Sequence, residues 1–396
     1  MHVRPLAVAM TSDSTRAQPT RNRSTRPRSF HAALRRLAAF AVVALTLIPG
    51  VAAAHGSQHP QPYPQWLALV VLVVGAGVVA GSVIAGRRGL ERTTALGGVF
   101  LGLFVAAAGA VGLVQLSPVK TLSASQTPID RAWYAPLTLA VGIAIAVGSL
   151  VVGRLKFKQR PSYAFLGALL GMWVAYPVLG GLENPVGYLL VFALPVAVAY
   201  VVYRDARGIL ARVARDRAAR RFGVGTGVLA ALFFAFSMGM VTFVPEHGIG
   251  VPDHGFVEIT PVANPLVYWS GVEFFFPGVP ASGVVSLGMA IQVGLVAALI
   301  GLNGAVIANQ WRTAAPAGTA GTTETTTGTA AVAAPNACCC CGPVVSELAV
   351  VAVGPSAAAP LYWLFVDLAS PVGALFFVGS VGLLAGNLAY VGRESC

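Results

Sequence analysis

The chain has 396 residues, of which 56% are hydrophobic and only 10% charged, with a formal net charge of +12. A water-soluble domain carries about a quarter charged residues, so this composition excludes an ordinary soluble protein. The positive charge is gathered in a few linkers and a leader, which excludes a nucleic-acid-binding surface spread over a fold.

Residues 1–36 are polar and basic, with eight arginines from Arg4 to Arg36, and an apolar run, Leu37–Val51, follows and ends in Ala52-Ala53-Ala54. A basic n-region, a short h-region and an A-x-A site read as a signal peptide, and the long n-region equally fits an uncleaved signal anchor. Arg35-Arg36 before the run fits a twin-arginine route. Residues 1–54 form the leader, and cleavage after Ala54 would make His55 the first mature residue.

Apolar segments then recur at 66–86, 95–116, 134–153, 162–182, 186–203, 222–244, 282–310, 344–366 and 372–391. Each approaches the ~20 residues needed to cross a bilayer as a helix. Backbone groups in hydrocarbon must be satisfied within the element, so the expected fold is all-α, a polytopic transmembrane bundle of about nine spans. The linkers alternate in charge. Sixteen of the 26 basic residues fall on one side, in the groups Arg87–Arg92, Arg154–Arg160, Arg204–Arg221, Arg312 and Arg393, and eight in the leader; the other side has Lys120 and Arg131. The basic side is therefore read as cytoplasmic, which places the C-terminus inside and the chain in the plasma membrane. The membrane domain is expected over 55–312, a flexible Thr/Ala/Gly linker ending in a cysteine cluster over 313–343, and a C-terminal hairpin over 344–396.

Several features refine the bundle. Trp66, Trp133, Trp269 and Trp311 fall near expected interfaces, where aromatic rings concentrate. Gly98/Gly102 and Gly167/Gly171 offer faces for close helix packing. Pro177, Pro195, Pro355 and Pro360 mark kinks or breaks, and Gly354 to Pro360 is expected to interrupt the eighth span. Residues 204–221 read either as a solvated helix extension or as an amphipathic stretch laying Ile209, Leu210 and Val213 against lipid. The apolar segment 256–282 reads as a re-entrant or interfacial piece over the outer mouth, a lid for a site there or a surface for a partner membrane protein.

The residues able to carry chemistry are sorted by side. His55, His59, His247 and His254 all map outside, the last two in a duplicated unit, Pro245-Glu246-His247-Gly248 and Pro252-Asp253-His254-Gly255. Pro and Gly make the 245–281 region begin as a loop, and imidazole beside carboxylate suits Cu(II) or Zn(II). Met238 and Met240 precede it as soft thioethers whose expected role is packing. Cys338, Cys339, Cys340 and Cys341 precede the eighth span and Cys396 ends the chain, both on the expected cytoplasmic side. A hairpin of spans eight and nine would bring these thiols together for Cu(I), Zn(II) or redox chemistry; juxtamembrane acylation is the alternative.

No Walker A sequence and no histidine within a span occur, which argues against ATP coupling and paired-histidine haem ligation. Glu183, Glu347 and Asp367 are expected near helix ends within reach of water, and Gln292, Asn303 and Asn387 as interhelical hydrogen-bonding groups. Handling of a soft transition metal, copper before zinc, is the favoured reading. A non-catalytic assembly subunit and a small-molecule permease stand beside it, and enzymatic activity ranks last.

Overall fold

The computed structural model describes residues 65–117, 129–243, 254–277, 281–313, 341–366 and 370–394. The chain divides into two units, Met1–Val43 and Ala44–Cys396, and every described residue belongs to the second. The leader, with its expected signal peptide or anchor, lies outside the described residues.

Among the described residues, eight helices are long and apolar enough to cross a membrane. They are α1 (Trp66–Arg87), α2 (Arg92–Gln115), α3 (Tyr134–Lys156, extended at its start by a 3-10 turn), α4 (Pro161–Leu179), α5 (Val186–Arg215), α6 (Arg217–Ser237), α7 (Leu287–Thr313) and α10 (Pro371–Glu394). The chain is a multi-pass helical membrane protein. The expected eighth span is instead two short helices, α8 (Cys341–Val353) and α9 (Pro355–Val366), parted at Gly354. That glycine has φ +90°, a backbone that a residue with a Cβ rarely adopts. At 1.5 Å per residue each piece is about 20 Å or shorter, and neither alone crosses a ~30 Å core.

Neighbouring spans pair through glycine seams, as the spacing of small residues predicts. A Cβ on Gly102 would stand 2.7 Å from the Val79 nitrogen and 2.8 Å from the Gly75 carbonyl, so α1 and α2 touch backbone to backbone. Gly171 is set equally close to Ala146 and Gly142 across α3 and α4. Only small residues allow this approach, and van der Waals contact is what holds helices together in lipid. Helices α5, α7 and α10 are the most buried spans and α1 and α3 the least. Val191, Leu194 and Val198 meet Val293, Val296 and Leu299 in the core, where Trp173 lies 4.8 Å from Phe377 between ring centroids. Asn387 donates to Asn303 at 2.7 Å, and Asn303 donates to Leu299 and Leu384 carbonyls. These asparagines are the interhelical links expected of them.

Three expectations are corrected here. Residues 204–215 continue α5 as helix, and Ile209 and Val213 are buried in the protein core; packing on neighbouring helices, and not lipid, covers them. Trp269 is buried, its ring against Tyr188 and Phe192 and its Nε1 donating to the Pro265 carbonyl. It is a core residue and no interface anchor, because a chain turn folds over it. Finally, 256–282, read from the sequence as a re-entrant or interfacial piece, is no re-entrant helix but a set of strands. It forms β2 (Phe256–Val262), β3 (Trp269–Phe276) and β4 (Ala281–Ser286), and with β1 (Val241–Thr242) they make an antiparallel sheet in the order β1-β4-β3-β2. The β-branched and aromatic residues alternate with polar or small ones along Val257-Glu258-Ile259-Thr260 and Gly271-Val272-Glu273-Phe274. Period two favours strands over helix.

Candidate functional site at the sheet end of the bundle

The bundle has two chemically different ends. Arg87, Arg92, Lys156, Arg160, Arg215, Arg217, Arg312 and Arg393 stand at helix boundaries of one end, and the sheet joins α6 to α7 at the other. The basic end is tied by ion pairs. The Asp205 carboxylate, its side chain almost fully buried, accepts from Arg160 on one oxygen and from the Tyr163 hydroxyl on the other, and Arg393 donates to Tyr163. This joins the start of α4, the middle of α5 and the end of α10. Asp216 caps α6 by accepting from the Ala218 and Ala219 amides, and it also accepts from Asn309 and Arg312 on α7. Burial pushes the Asp216 carboxyl up, but the Ala219 amide, Asn309, the Ala218 amide and Arg312 outweigh it, so the group sits below the usual carboxylate range.

At the sheet end, apart from Arg131 before α3, the described polar groups that join elements are amides, hydroxyls and carboxylates. Gln115 closes α2 and is buried; its amide donates to the Phe236 carbonyl at 2.8 Å, and its oxygen accepts from the Thr242 hydroxyl. It thereby staples α2 to the end of α6 and to β1. Gln65, just before α1, donates to the Leu113 carbonyl at 3.0 Å and to Glu347 at 2.7 Å. Glu347 is fully buried on α8. The expectation that water or headgroups reach Glu347 is therefore wrong. The interruption at Gly354 is the expected one, but α8 lodges against α2 at this end, where a broken yet membrane-crossing span would have left Glu347 close to the basic one.

The sheet itself places two more carboxylates. Glu258 on β2 and Glu273 on β3 are direct cross-strand partners. Side chains alternate along a strand, so this pair shares a face with Trp269 and Phe275, both buried against the protein. His254 lies four residues before Glu258 and is exposed. Like charges directly opposite across a ladder are destabilising.

The other expected ligands are distributed as follows. Met240 is buried and Met238 half-buried against the core; the Met240 carbonyl accepts from the Val284 amide at 3.0 Å, which ties β4 to the end of α6. Cys341 is the first residue of α8. His55, His59, Glu246, His247, Asp253, Cys338, Cys339, Cys340 and Cys396 lie outside the described residues. Among the described residues, no three His, Cys, Asp or Glu side chains gather as a group able to hold a metal. The membrane-crossing hairpin that underlay the expected meeting of Cys341 with Cys396 does not form in that way: Glu347, six residues beyond Cys341, is held at the sheet end while Arg393 is held at the basic end.

The site residues missed from sequence are Gln65, Gln115, Thr242, Glu258 and Glu273. Their one common signal is position, since Gln65 and Gln115 flank apolar spans on the same expected face. Compared with known proteins, the chain matches no family model, no curated protein and no solved structure.

Proposed function

We propose that this multi-pass membrane protein captures a transition-metal cation, copper in preference to zinc, at the end that carries the sheet. The observation that carries the reading is the Glu258–Glu273 cross-strand carboxylate pair. A bound cation turns the repulsion of two facing carboxylates into attraction, and carboxylate with imidazole is a donor set for Cu(II) or Zn(II). The duplicated Glu246-His247 and Asp253-His254 units, with His55 and His59, supply further imidazoles, and the free amine of a processed His55 adds a chelating nitrogen. In this reading the basic end faces the cytoplasm of the plasma membrane, by the positive-inside bias. Cys396, three residues beyond the Arg393 held at the basic end, then receives the softer Cu(I) as a thiolate in a reducing compartment, and the Cys338–Cys341 run that leads into α8 adds soft donors toward the sheet end. In this reading the chain binds a cation and passes it on.

Metal content of the purified full chain, loaded with copper or zinc under reducing conditions, tests this. Wild type is expected to retain bound metal. The double variant His247→Ala/His254→Ala and the single variant Glu273→Gln are expected to lose the outer fraction, and Cys338–Cys341→Ser the thiolate fraction. A wild type that holds no metal overturns the reading.

A second reading has its own observation. Glu347 is a fully buried carboxyl beside Gln65, on a helix pair interrupted at Gly354. Ionisable groups inside membrane bundles and broken helices mark substrate or ion paths, which favours a small-molecule permease. Loss of substrate uptake in Glu347→Gln with metal content unchanged would select it. The assembly-subunit reading draws on the exposed face of the sheet, and a stoichiometric partner copurifying through 256–282 would select that one.

A further inference from the structure

The sheet is amphipathic in an inverted sense. Its register puts Val257, Ile259 and Pro261 of β2, Ser270, Val272, Phe274 and Phe276 of β3, and Ala281, Gly283 and Val285 of β4 on one face. No charged residue is among them, and the glutamates lie on the opposite face, the one that packs on the protein. The apolar face is open: Ile259 is 79% and Val257 61% exposed, with Val272, Phe276 and Val285 exposed as well. An apolar patch of this kind in water is a liability that soluble surfaces avoid.

Three observations fix what covers it. The sheet is continuous with two membrane spans: β4 ends at Ser286 and α7 begins at Leu287, itself an exposed leucine, while β1 starts four residues after α6 ends. The sheet is also sunk into the bundle. The Trp269 ring, at the start of β3, lies 6.0 Å from Phe192, which stands six residues, about 9 Å, along α5 from its first residue. Lastly, Trp66 and Trp133, at the starts of α1 and α3 on this same end, are exposed as interfacial anchors are.

We propose that the Val257/Ile259/Val272/Val285 face of the sheet is seated in the lipid leaflet at this end of the bundle, making the sheet a monotopic insertion beside the spans. The glutamate face is thereby turned to the protein and the aqueous mouth, and the strands hold it at the membrane surface. Backbone groups of the β2 edge stay at headgroup depth, where water and phosphate satisfy them, because an open edge is not tolerated in hydrocarbon.

The test is a nitroxide placed at Ile259→Cys, and separately at Thr260→Cys on the opposite face, in the full chain with native cysteines changed to serine, reconstituted in phosphatidylcholine–phosphatidylglycerol vesicles. Dissolved oxygen is expected to relax the Ile259 label several-fold more strongly than a water-soluble nickel chelate does, with the preference reversed at Thr260. Equal access of the chelate to both labels overturns the proposal. Protection of Ile259 from both reagents in native membranes, but not in vesicles, also overturns it and assigns the face to a protein partner. Should the serine background fail to fold, Ile259→Trp in the otherwise native chain serves instead. Its added fluorescence is expected to be quenched by lipids brominated near the headgroup, and no quenching overturns the proposal.

Discussion

The two ends of the bundle solve the same problem, tying helix termini together, with opposite chemistry. At the basic end, arginines from α4, α7 and α10 converge on Asp205, Tyr163 and Asp216, so charge is matched by charge. At the sheet end, Gln65, Gln115 and Thr242 link helices through amide and hydroxyl groups, and the sheet's carboxylates oppose each other without a described cation between them. The first end is a closed electrostatic lock. The second has acceptors to spare, which is why the functional reading is placed there.

The sharpest way to break this contrast is at Asp205. Asp205→Ala leaves Arg160 and the Tyr163 hydroxyl without their buried acceptor, a loss of about 1–3 kcal/mol. Thermal unfolding in detergent should show a clearly lowered Tm, and a Tm equal to wild type would mean that the basic end is not locked by this pair.

Asp216 ranks next and has a pH signature. Its folded carboxyl lies below the ordinary range, so its stabilisation is complete above the unfolded carboxylate range and is lost as pH falls through the depressed folded value. Asp216→Asn is expected to cost about 1 kcal/mol at neutral pH, the scale of a helix cap, and to flatten the Tm profile in that acidic window. An unchanged profile would remove Asp216 from the lock.

At the sheet end the sign should reverse. With a chelator present, Glu273→Gln relieves the facing charges and is expected to raise stability by roughly 0.2–1 kcal/mol. With copper or zinc added, wild type should gain Tm and the variant should not. Destabilisation by Glu273→Gln in chelator would contradict the idea of a surplus of acceptors.

The smallest effect is expected between the ends. Asn387→Leu removes the donor to Asn303 and should cost on the order of 0.6 kcal/mol, the average for polar contacts between membrane helices. A loss several times larger would make the asparagine pair, and not apolar packing in the shared core, the main fastening of α7 to α10.

Much of the helical part was legible in advance, because a lipid solvent leaves few choices. A run of some twenty apolar residues has to satisfy its own backbone, so span positions such as 134–153 and 186–203 follow from hydropathy. The glycine seams and the Asn303–Asn387 link were equally readable, since spacing brings small and polar residues to one face. The break at Gly354 was foreseen, but not its result. Hydropathy along 344–366 is the same whether the segment crosses or folds back, so the burial of Glu347 against Gln65 came only from packing. The sheet was missed for a related reason: total apolarity over 256–282 suggested membrane insertion and masked the period-two alternation.

The sequence by itself determined the solvent of this protein, its all-helical spans and the sorting of arginine to one end, because each depends on local composition against a fixed bilayer thickness. Only the tertiary structure decided which carboxylates face one another, that Ile209 and Trp269 belong to the core, and that Glu347 lies at the sheet end. Those outcomes depend on contacts between segments tens to hundreds of residues apart, such as Gln65 with Glu347, and no local pattern encodes such a contact.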